Sequence, residues 1–217
     1  MSNWDKSDRT KAGNDLRAVL FISRNRDNSH VEGFKERKKA FVAWFDGMII
    51  PGWLEEEFNE FVKRGQPSEF SRMYISINAR DPEKIKKYLT IKLIENPEHI
   101  YLTNIEPIIA GIAAKVENRR TDQKRWLFDW DYQDQKKLKQ FVKDIEEAGG
   151  GEVFSTPHGA AVLAEHGFDN RKLRSIWGDV AVPKKDDLWC ARWCYNLFDA
   201  NKRINNSTQG TIERVVN

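Results

Sequence analysis

Apolar side chains recur with two different periods in this sequence. Residues 18–23 (AVLFIS) form a short, partly β-branched run that predicts a buried strand. Over residues 33–47, Phe34, Phe41, Val42 and Phe45 stand at mixed three- and four-residue spacings among Lys and Arg, which predicts an amphipathic helix. Pro51-Gly52 interrupts it. Trp53, Leu54, Phe58, Phe61 and Val62 then resume helical spacing until Gly65 and Pro67. Residues 73–78 (MYISIN) read as a strand. Asp81-Pro82 opens a helix, with Asp81 suited to the N-cap and Pro82 to the first turn. Its stripe is Ile85, Leu89, Leu93 and Ile94, and Asn96-Pro97 closes it. A further helix is expected over 107–118, where Gly111, Ala113 and Ala114 permit close packing.

In the second half, residues 125–131 (RWLFDWD) predict a strand. Leu138, Phe141, Val142 and Ile145 follow at helical spacing, and Gly149-Gly150-Gly151 ends that helix. Residues 152–156 and 160–164 predict a hairpin around Thr156-Pro157-His158-Gly159. Residues 169–177 suit a short helix capped by Asp169, and 179–182 suggest a strand. In 188–198, Trp189 and Trp193 fit a strand face or a helix face equally. There is no internal repeat or low-complexity tract. The expected class is α+β or α/β, a mixed central sheet flanked by helices. One domain is expected over 17–198, with a helical insertion at 32–66, a polar, flexible N-terminus (1–16) and a flexible tail (199–217).

Composition narrows the class further. The 217 residues include 8 Trp and 12 Phe, too much apolar surface for a disordered chain. Charged residues make up 32%, so the surface is densely charged. No apolar run approaches the ~20 residues that span a bilayer, so no membrane partner is expected. The polar N-terminus lacks the apolar core of a signal peptide. Two cysteines, Cys190 and Cys194, cannot make a disulfide scaffold; they read as buried thiols in a cytoplasmic protein. The net charge of +3 is weak evidence for nucleic acid, and clustering matters more. Lys115, Arg119, Arg120, Lys124 and Arg125 form one basic cluster. Arg171, Lys172 and Arg174 form another, with Lys184 and Lys185 nearby. Each is a solvated face or a phosphate contact beside a site; Arg125, Arg171 and Lys172 are the candidate phosphate ligands.

Asp129 and Asp131 lead the candidates for chemistry. Residues i and i+2 of a strand share a face, so both carboxylates point one way while Phe128 and Trp130 point into the core. Close carboxylates repel, and a hard cation relieves the repulsion. Mg²⁺ typically takes one or two carboxylates plus phosphate oxygens and water. The alternative is a solvated pair or a cap for the next helix. His158, in the hairpin turn, can donate to phosphate, or be a turn residue without a task. A third carboxylate could come from Asp187, beside Asp186, or from Asp179. Arg72, Asn78 and Arg80 flank the second strand and either contact phosphate or face solvent. No Walker A loop, G-x-G-x-x-G, H-E-x-x-H or G-x-S-x-G is present, against the common nucleotide-hydrolase, dinucleotide and serine-hydrolase readings.

A strand ending in D-x-D, a helix, a strand, a T-P-x-G turn, another strand and a later Asp together resemble the core of the archaeo-eukaryotic primase superfamily, including small primase-like proteins of phages. The resemblance spans roughly residues 70–195. It implies an RRM-like core in which Asp129 and Asp131 bind Mg²⁺ or Mn²⁺, Asp187 (or Asp179) completes the metal site, and a His contacts nucleotide phosphate. The pattern departs at that His, expected two residues past the Gly, where Ala161 stands; His158 precedes the Gly. The expected function is primase-like nucleotidyl or phosphoryl transfer on nucleotides or nucleic acid. The alternatives are a non-catalytic nucleic-acid- or protein-binding phage accessory module, acting in an infected bacterial cell, and a metal-dependent nuclease.

Overall fold

The computed structural model describes residues 13–131 and 134–197, and places them in two antiparallel sheets with five α-helices. The larger sheet has the order β2-β1-β3-β7, from β1 (Asp15–Ser23), β2 (Arg37–Phe45), β3 (Phe70–Ser76) and β7 (Leu188–Tyr195). The smaller has the order β4-β6-β5, from β4 (Trp126–Trp130), β5 (Gly151–Thr156) and β6 (Gly159–Ala164). All pairings are antiparallel, so the architecture is α+β with two sheets rather than one mixed sheet.

Paired residues share a face, and this sorts the core. On one face of the large sheet, Val19, Phe21, Phe41, Met73 and Ile75 pack under α1 (Gly52–Lys63), which contributes Leu54, Phe58, Phe61 and Val62. On the other, Leu16 and Ala18, with Val42 and Trp44, pack against α2 (Pro82–Glu95) and α3 (Ile105–Ala113) through Ile85, Ile112 and Ala113. That cover ends before Leu20, Ile22, Arg72 and Tyr74, which line an open cavity. The small sheet buries Phe128, Trp130, Val153 and Val162 against α4 (Gln135–Ala148), with α5 (Arg171–Trp177) adding Leu173. Its opposite face joins the first core through Leu127, Ala161, Leu163 and Phe154, the Phe154 ring lying 4.4 Å from Trp189 of β7.

Local chemistry explains the boundaries. Asp81 accepts from the amides of Glu83 and Lys84, capping α2 as expected, and Asp134 caps α4 in the same way. The predicted hairpin forms, with Pro157 and His158 as its turn. Other expectations are corrected. Residues 37–45 are strand β2, not helix; both faces of this strand pack on core, so its apolar residues are nearly continuous and mimic helical spacing. Within 32–66, α1 is therefore the helix, and β2 belongs to the main sheet. Residues 178–181 form a 3₁₀ turn instead of a strand. The ambiguous segment at 188–198 is strand β7 as far as Tyr195; Phe198 and the tail lie outside the described residues, as do residues 1–12. The first strand begins at Asp15, inside the segment expected to be flexible. Among the described residues no helix is long and apolar enough to cross a membrane.

Candidate functional site

β4 alternates as the D-x-D pattern requires. Phe128 and Trp130 are buried on the α4 side, whereas Asp129 pairs with Ala161 of β6 and faces away from it. The strand's free edge is filled by a single residue: the Leu127 amide donates to the Lys184 carbonyl at 2.9 Å, and the Lys184 amide donates back at 2.8 Å. Three residues later the Ile77 amide, just past β3, donates to the Asp187 carbonyl at 3.0 Å. The segment 184–187 thus bonds to β4 and to the end of β3. Gly159 closes the other side of β4. A Cβ there would lie 1.8 Å from the Trp130 carbonyl oxygen, so only glycine lets the hairpin approach the strand end that carries the aspartates.

These elements wall a cavity of about 570 Å³ that includes Asp129, Asp131, Asp187, Lys184, His158 and Arg72. Asp129, Asp131, His158 and Asp187, singled out from the sequence, therefore share one cavity. Lys184 Nζ donates to Asp129 and lies 3.3 Å from the Asp187 carboxylate, so carboxylates from two segments converge on one cation. Burial alone would lower the Lys184 pKa, but the hydrogen bond and charge of Asp129, with Asp187, hold it above the ordinary lysine value. Arg72 Nη2 donates to Asp27 at 2.9 Å and to His158 Nε2 at 3.0 Å. Because a guanidinium only donates, His158 accepts through Nε2 and carries its proton on Nδ1.

Not every candidate lines this cavity. Asp186 is paired with Arg80 at 2.7 Å, both nearly inaccessible, while Asn78 holds the Arg125 backbone by donating to its carbonyl at 3.1 Å and accepting from its amide at 2.7 Å. Arg72, Asn78 and Arg80 are all buried rather than solvent-facing, and of the three only Arg72 reaches the cavity. Asp179 sits in the 3₁₀ turn and Arg125 just before β4, neither among the lining residues. Arg171 and Lys172 lie exposed on α5, Arg171 bound to Asp169. The residues missed by sequence reading are Lys184 as an individual and Arg26, which also lines the cavity. Lys184 could be found only by knowing that it pairs with β4.

The carboxylates suit a hard cation in the mode that uses one or two carboxylates, with phosphate and water completing the shell. They do not form an all-protein cage: among the described residues no three His, Cys, Asp or Glu side chains come together closely enough. No protein-family model, curated protein or solved structure matches this chain.

Proposed function

We propose that this cavity performs divalent-metal-dependent nucleotidyl or phosphoryl transfer on nucleotides or nucleic acid, on a primase-like scaffold. The observation that carries the reading is the convergence of Asp129 and Asp187 on one cation position, in a cavity shared with Asp131 and His158. Lys184 would yield that position to Mg²⁺ or Mn²⁺ and turn its ammonium toward substrate phosphate. Once bound, the metal would neutralise charge on the transferring phosphoryl group. Asp129 and Asp187 hold the position, Asp131 supplies a further exposed carboxylate, and Arg72 orients the His158 imidazole so that Nδ1–H can donate to a phosphate oxygen. Rate enhancement would come from positioning and charge neutralisation.

The test combines Mn²⁺ binding, followed by electron paramagnetic resonance, with incorporation of labelled nucleotides on primed and unprimed templates. Asp129→Asn with Asp131→Asn should abolish both signals. If the double variant binds Mn²⁺ and turns over like the parent, the catalytic reading fails. Template cleavage without incorporation would point to a nuclease. A second reading has its own observation: Ala161, at the position where the resembled motif has its His, lines the cavity wall. A non-catalytic binding module on the same scaffold would bind nucleic acid with steep salt dependence and show no turnover.

A further inference from the structure

A second cavity, of about 550 Å³, is lined by Arg26, Asp27, Phe70, Arg72, Pro157, His158, Trp193 and Tyr195. It shares Arg26, Arg72 and His158 with the first, so the two cavities adjoin at the Arg72–His158 pair. Three guanidiniums surround the single Asp27 carboxylate at their junction: Arg24 at 2.9 Å, Arg72 at 2.9 Å and Arg26 at 3.9 Å. Among the described residues, one carboxylate faces three guanidiniums here, and the surplus is positive. Donors are also left over. Among the described residues, Arg72, more than nine-tenths buried, has no hydrogen-bond partner for Nε, and Arg24 none for Nη2. Buried guanidinium nitrogens without acceptors are costly, and the Arg72 guanidinium stands in the wall of both cavities. Beyond the arginines the wall is aromatic. Strand register pairs Arg72 with Trp193 and Phe70 with Tyr195, placing all four on one face of the sheet. The Phe70 and Tyr195 rings lie 4.7 Å apart, and Tyr195 remains 43% exposed.

We propose that this second cavity is a track for single-stranded nucleic acid, with phosphates on Arg26 and Arg72 and bases stacked on Trp193 and Tyr195. Cationic grooves with aromatic platforms bind single strands with little sequence preference, because every base has a π-face. An acidic peptide would satisfy the arginines but leave the aromatic wall unused. The inference rests on the proposed function only for what happens at the carboxylates of the first cavity, where the strand would meet the reacting centre.

The experiment titrates the full chain into a fluorescein-labelled oligothymidylate of about 12 nucleotides, within the site sizes of single-strand binders. Anisotropy is read in EDTA, so no metal contributes. The parent should bind, with affinity falling steeply as salt rises. Trp193→Ala with Tyr195→Ala should weaken binding about tenfold or more, and Trp193→Phe with Tyr195→Phe should restore most of it. Arg26→Glu, at an exposed side chain whose change spares the core, should weaken binding and flatten the salt dependence. Asp129→Asn with Asp131→Asn should bind the oligonucleotide at least as well as the parent. Absence of binding, equal competition by polyglutamate, or unchanged affinity in both Arg26→Glu and the alanine pair would overturn the proposal. If Mn²⁺ binding and turnover survive that result, the catalytic reading stands without the track. If strand binding holds while turnover is absent, the catalytic reading falls alone.

Discussion

Lys184 behaves as a resident cation between Asp129 and Asp187. Under the proposed chemistry it competes with the metal. A half-exposed ion pair is worth up to about 1 kcal/mol. Lys184→Ala should therefore tighten Mn²⁺ binding by up to about fivefold, while weakening affinity for nucleoside triphosphate; calorimetric titration of each checks this. Gly159 is a second decisive position. Gly159→Ala places a methyl group inside the Trp130 carbonyl, and the hairpin must move away from β4 at a cost of roughly 2–4 kcal/mol. The denaturation midpoint should fall, with Mn²⁺ binding lost even under conditions where the variant is folded. The aspartates were legible in the sequence because their spacing alone puts them on one face of a strand. Lys184 and Arg26 were not, since their roles depend on which distant segments lie beside them. The same holds for Asp187 over Asp186: neighbours in sequence, one faces the cavity and the other is buried against Arg80.

Elements with strong local signals match the sequence reading, although α2 turns Leu93 and Ile94 of its expected stripe outward and the helix expected over 107–118 ends at Ala113. The period of α4, the cap of α2 and the hairpin turn each rest on local rules that neighbouring structure does not override. β2 does not read as a strand because both of its faces are covered, which erases the alternation that marks one. The 3₁₀ turn at Gly178–Ala181 was too short for any period to show. The loop before β7 is tied to the rest by polar contacts invisible to hydropathy. Arg80 and Asp186 pair at 2.7 Å with almost no solvent access. Removing one partner of such a pair strands the other charge, costing about 3–5 kcal/mol. Arg80→Ala should lower the unfolding midpoint strongly. It should also impair Mn²⁺ binding, because Asp186 precedes the site carboxylate Asp187. Equal thermal stability of parent and variant would contradict the buried-pair assignment.

Across the molecule, a mixture of helices and strands is readable from the two periods, but the choice of α+β over α/β and the division into two antiparallel sheets are not. Connectivity leaves a trace in sequence only through loop lengths, and those here allow several arrangements. Cys190, at the interior of β7, links this architecture to pH. Burial pushes its thiol up to about 12. Above the ordinary thiol pKa the unfolded chain ionises while the folded one does not, so stability should decline as pH rises from about 9 toward 12. Denaturant melts at pH 8 and pH 10.5 check the sign, and Cys190→Ser should reduce the slope. The backbone bonds from Leu127 to Lys184 and from Ile77 to Asp187 have a mechanical meaning as well. They make a stretch of four residues the rivet joining the two halves of the jaw. Anything gripping Asp129 on one side and Arg72 on the other becomes a second rivet, so occupancy should couple the melting of both sheets and slow amide exchange at Ile77 and Leu127 together.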